Sequence, residues 1–71
     1  MRGVITAVVH SRGFAFVRGD EDHVSRFLHA KWVEPPIDFD TLFVGQPVEF
    51  KPDDNGIGGN RQRAMNVRKL A

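Results

Sequence analysis

The sequence predicts an all-β domain, a small closed antiparallel barrel of five strands, and three observations lead there. Short runs rich in β-branched and aromatic residues recur along the chain, separated by clusters of Gly, Pro, Asp and Asn. Only 71 residues are available and none is cysteine, so one small core must hold by packing alone, which suits a compact barrel. No internal repeat is present, and five short strands joined by turns close on themselves most economically as a barrel.

The first strand is expected over residues 3–9, Gly-Val-Ile-Thr-Ala-Val-Val, a β-branched run without a helix cap. The second covers residues 13–18. Its core is Arg12-Gly13-Phe14-Ala15-Phe16-Val17, and because side chains on a strand alternate, Phe14 and Phe16 share one face while Ala15 and Val17 take the other. Gly19-Asp20-Glu21-Asp22 is a polar turn. Residues 23–29 return as the third strand, with Phe27 and His29 on one face. Pro35-Pro36 argues against both a helix and a central strand, so residues 30–44 are expected to form a long irregular connection. The fourth strand centres on Pro47 to Lys51, where Val48 and Phe50 alternate, and residues 53–60 form a turn rich in types that accept positive φ. A last strand runs over residues 62–70.

Composition bounds the function. Ten Lys and Arg against nine Asp and Glu leave a net charge of +1, too little to advertise nucleic-acid binding by itself. The charges are segregated, however. Acids crowd into Asp20-Glu21-Asp22, Glu34 to Asp40 and Asp53-Asp54, whereas Arg61, Arg63, Arg68 and Lys69 make the C-terminal end basic. No apolar stretch approaches a membrane span and no signal-peptide core follows Met1, so a cytoplasmic location and no membrane partner are expected. No catalytic constellation emerges: there is no Cys, no Gly-rich phosphate loop and no His-x-x-x-His pair, and His10, His23 and His29 fall on separate segments. A non-enzymatic chain with no cofactor and no metal is the expectation. Asp53-Asp54-Asn55-Gly56 lacks the ligand spacing and terminal Glu of a calcium loop, and a hairpin turn accounts for it better.

The order of motifs resembles the cold-shock domain family, five-stranded oligonucleotide-binding (OB-fold) barrels whose aromatic face stacks single-stranded RNA or DNA. Arg12-Gly13-Phe14-Ala15-Phe16-Val17 resembles that family's first ribonucleoprotein motif, Lys-Gly-Phe-Gly-Phe-Ile. Arg26-Phe27-Leu28-His29 resembles the second, Val-Phe-Val-His. Thr41-Leu42 with Gly45-Gln46-Pro47-Val48-Glu49-Phe50 is similar to Thr-Leu-x-Glu-Gly-Gln-x-Val-x-Phe, and Ala64-Met65-Asn66-Val67 with Leu70 is similar to the closing Ala-x-Asn-Val-x-x-Leu. The resemblance covers essentially the whole chain, implying a single domain over residues 1–71. It departs in three places. Where the family has Lys-Trp-Phe-Asn on the first strand, this chain has Thr6-Ala7-Val8-Val9, which removes a stacking ring and a phosphate-reaching lysine. The aromatic that follows the histidine of the second motif is Ala30 here. Arg26 replaces a core valine, so either its head snorkels to the barrel edge or the strand register differs locally.

Phe14, Phe16 and Phe27 are the expected stacking platform, and His29 either ends that row as a ligand contact or is a solvated strand-end residue. Phe39 matches the place of the family's aromatic that folds over the binding face, whereas Trp32 either replaces a missing ring or, as the preferred reading, plugs the open end of the barrel. Phe43 and Phe50 are read as packing. Arg12, Lys31, Arg61 and Arg63 are candidate phosphate contacts. The resemblance implies a single-stranded nucleic-acid binder, RNA ahead of DNA, acting as an RNA chaperone or regulator of transcription or translation, as a monomer or weak dimer. The alternative is a barrel of the same type whose apolar face docks a protein partner.

Overall fold

A computed structural model of the chain describes residues 1–53 and 62–70. The strand-like runs form β1 (Arg2–Val9), β2 (Phe14–Gly19), β3 (Ser25–His29), β4 (Pro47–Asp53) and β5 (Arg63–Lys69). They close into a barrel in the order β1, β2, β3, β5, β4. Four seams of this ring are antiparallel, but β3 and β5 run parallel, with Phe27 opposite Arg63 and a further parallel bridge between Val33 and Val67. The expectation of a wholly antiparallel barrel is thereby corrected. An odd number of strands cannot alternate direction all the way round a closed ring, so one seam must be parallel.

Alternation along the strands fills the barrel. Ile5 from β1, Ala15 and Val17 from β2, Leu28 from β3, Val48 and Phe50 from β4, and Ala64 and Val67 from β5 are all buried. Gly3 sits where a side chain could not: a Cβ there would run into the Arg18 carbonyl and, at 2.9 Å, the Phe50 ring. The connection after β3 is more ordered than expected. It contains 3-10 helices at Ala30–Trp32 and Pro36–Thr41, the second beginning at Pro36, because a proline in the first turn lacks only a donor that would have no partner there anyway. This connection also contributes Val33, Phe39 and Leu42 to the core. Phe50 packs as expected. Phe43 does not: it is 56% exposed, at a turn in which Gln46 N–H donates to the Phe43 carbonyl (3.0 Å) and Gly45 takes φ 96°.

Arg26 satisfies neither expectation made for it. The β2–β3 register is regular, with Val17 opposite Arg26, and the arginine is 2% exposed. Its guanidinium donates to both carboxylate oxygens of Asp22 (2.7 and 3.4 Å) and lies 5.6 Å from the centre of the Phe50 ring. A buried charge is thus accommodated by a partner four residues earlier, in the turn that enters β3. The Arg26 hydrogen bond, assisted by the Val24 N–H, lowers the Asp22 pKa to about 2. Among the described residues no helix is long and apolar enough to cross a membrane. The expected turn from Asp54 onward, and Arg61, lie outside the described residues.

Candidate functional site

Strand pairing assembles the outer face of β2 and β3 row by row. Phe16 lies opposite Phe27 on one side and Ala7 on the other, and Phe27 lies opposite Arg63, so one row reads Ala7, Phe16, Phe27, Arg63 across β1, β2, β3 and β5. The neighbouring row reads Val9, Phe14, His29. Arg18, opposite Ser25 and Val4, continues the same face of β2 beyond Phe16. Cross-strand partners point to one side of a sheet, so these side chains share a surface.

The three phenylalanines touch as a triangle. Ring centroids are 6.0 Å apart for Phe14 and Phe16, 5.8 Å for Phe14 and Phe27, and 6.0 Å for Phe16 and Phe27. Phe14 and Phe27 are tilted by only 31°, while Phe16 stands at 84° and 72° to them. Phe16 is 36% exposed, and Phe14 and Phe27 are half-buried. Edge-to-face contacts of this kind hold rings together without burying them, so the cluster keeps apolar faces towards solvent.

Phe39 is not where the expectation put it, and Trp32 lies beside the rings while also packing against the core. Phe39 is 3% exposed, on the inward side of its 3-10 helix and against the His10 ring (5.6 Å), so it is a core residue and offers no face to a ligand. Trp32 instead extends the platform, 5.8 Å from Phe27 and 5.7 Å from His29. Local hydrogen bonds put it there. Ala30 N–H donates to the Gly13 carbonyl (2.9 Å), and Lys31 N–H donates to His29 Nδ1 (3.1 Å), which ties the 3-10 turn back to the ends of β2 and β3. Gly13 itself has φ 72°, a left-handed conformation that favours glycine at this corner.

Exposed cations lie on or next to the strands that carry these rings. Arg12 ends the 3-10 turn after β1, Lys31 lies in the turn after β3, and both are exposed, as is Arg18. Among the described residues no carboxylate pairs with any of the three. Arg63 is engaged: its Nη2 lies 3.3 Å from Asp53 Oδ2 and its guanidinium carbon 5.9 Å from the Trp32 ring centre. Arg18 was missed in the sequence although the alternation that exposes Phe14 and Phe16 exposes it too. For Trp32 the sequence left two readings open, since its position depends on the turn after β3. No three His, Cys, Asp or Glu side chains among the described residues converge as a metal site.

The fold and this face together define a small closed five-stranded β-barrel with an exposed aromatic sheet surface and a rim of arginine and lysine. Compared with protein-family models and with curated proteins, the chain finds no match in either.

Proposed function

We propose that this chain is a non-enzymatic binder of single-stranded nucleic acid, a divergent OB-fold barrel of the cold-shock type, with RNA preferred to DNA. One observation carries the reading: Phe14, Phe16 and Phe27 touch one another on the outer face of two paired strands, and the exposed Arg18 continues that face. Rings left partly in water at the centre of a sheet cost hydrophobic stabilisation that burial would have supplied, and bases laid over them recover it. Phosphates of the same strand then fall within reach of Arg12, Arg18 and Lys31. A face that accepts only unpaired bases shifts a hairpin equilibrium towards the open strand, which is the action of an RNA chaperone and a route to regulating transcription or translation.

The test is a titration of the protein with fluorescently labelled single-stranded homopolymers of RNA and DNA, alongside a duplex of equal length. Binding of single strands in preference to the duplex is expected, because paired bases cannot lie flat on the rings. Absence of binding to every single strand would contradict the proposal and favour an apolar docking face for a protein.

A further inference from the structure

The aromatic face is lopsided. On the β1 side it ends in Ala7 and Val9, which offer no ring, whereas on the β3–β5 side it continues through Phe27 to Trp32 and Arg63. A strand stacked on the three phenylalanines therefore finds a further ring on the β3–β5 side and none on the β1 side. There the indole stands at 86° to Phe27, and a guanidinium lies within cation–π distance of it. That same guanidinium is held by a carboxylate, Asp53, in a pair about one-third exposed on each side, 39% for Arg63 and 34% for Asp53. A partly solvated ion pair is weak, so exchanging one anion for another on Arg63 costs little.

On the basis of the single-strand reading above, we propose that Trp32, Arg63 and Asp53 form an end subsite for one nucleotide. In this subsite the indole stacks the base, Arg63 takes the adjoining phosphate, and Asp53 occupies Arg63 when no strand is bound. Asp53 is then an internal competitor. Exchange of its carboxylate for a phosphate leaves Arg63 with an anionic partner in both states, and the strand's path is displaced from β1 towards β5.

Trp32 is the only tryptophan in the chain, so its emission reports this subsite alone. The experiment titrates the full chain with an oligouridylate of about eight nucleotides. Overall binding is read by anisotropy of a label on the RNA, and the subsite by indole fluorescence on unlabelled RNA. The expected result is indole quenching that saturates together with the anisotropy, a loss of affinity of about fivefold or more in Trp32→Leu, retention in Trp32→Phe, and tighter binding in Asp53→Asn that disappears when Arg63→Gln is added. Binding with unchanged indole emission would overturn the subsite while leaving the single-strand function standing, and this readout needs no variant to fold. Unchanged or weaker affinity in a folded Asp53→Asn protein would overturn the competition. No anisotropy change at any concentration would overturn the functional reading and the subsite together.

Discussion

Phe16 and Leu28 are both large apolar residues on paired strands, yet they face opposite sides of the same sheet. Phe16 is 36% exposed and Leu28 is fully buried. Truncating Phe16 to alanine should weaken single-strand binding by about 1–3 kcal/mol, the worth of one stacked base, with little change in thermal unfolding. Leu28→Ala should do the reverse, lowering stability by about 2–5 kcal/mol through the cavity it leaves. Parallel measurement of melting and binding for the two variants separates platform from core, and a Phe16 variant that loses stability as Leu28→Ala does would remove Phe16 from the platform. A second residue-scale prediction concerns Asp22. Its pKa lies near 2 in the folded chain against an ordinary value of 3.8, so the folded state holds the ionised carboxylate more strongly than the unfolded chain does. The resulting stabilisation is complete above about pH 4 and is lost as pH falls towards 2. Acid unfolding followed by circular dichroism should show this limb in the native chain and a flatter one in Asp22→Asn, which should also be less stable at neutral pH because the buried Arg26 then loses its ion pair with Asp22.

At the scale of elements, β1 decides how far the platform extends. Its pairing with β2 slips between Ile5 and Ala7, an irregularity that leaves Thr6 and Ala7 both exposed and sets Ala7 opposite Phe16. Alanine at position 7 therefore leaves that row with two rings, Phe16 and Phe27, where a third could stand. Ala7→Trp should tighten oligonucleotide binding by about 1–3 kcal/mol, and unchanged affinity in a folded variant would mean that the strand does not cross β1. Much of this arrangement was legible in the sequence. Period-two alternation at Phe14 to Val17 and at Val48 to Phe50 placed both faces of β2 and β4, and the polar turn at Gly19 to Asp22 placed the β2–β3 hairpin. What stayed hidden depended on how the turns close, which periodicity does not show. Phe39 and Trp32 are both aromatic residues of one connection, and only the turn hydrogen-bonded back to Gly13, with the inward side of the following 3-10 helix, decides which joins the core. Arg26 looked out of place because its partner, Asp22, reads as an ordinary turn residue until the hairpin closes.

For the molecule as a whole, a net charge of +1 conceals a sorted surface. Arg12, Arg18, Lys31 and Arg63 lie on or next to the strands of the aromatic face, whereas Asp22 pairs with Arg26, and Glu34 lies 2.6 Å from Asn66 and 3.6 Å from Arg68. Near-neutrality overall with cations beside one face predicts local, not global, attraction for a polyanion. The salt dependence of single-strand binding tests this most directly, because each phosphate contact on a single strand releases counterions and contributes about −0.7 to the slope of log affinity against log salt. With roughly two to four such contacts, titrations of a labelled oligouridylate at several salt concentrations should give a slope of roughly −1.4 to −3, and Arg12→Gln should make it shallower by about 0.7 while weakening all sequences alike. A flat salt dependence, or no binding even at low salt, would contradict the account and leave the aromatic face as a docking site for a protein.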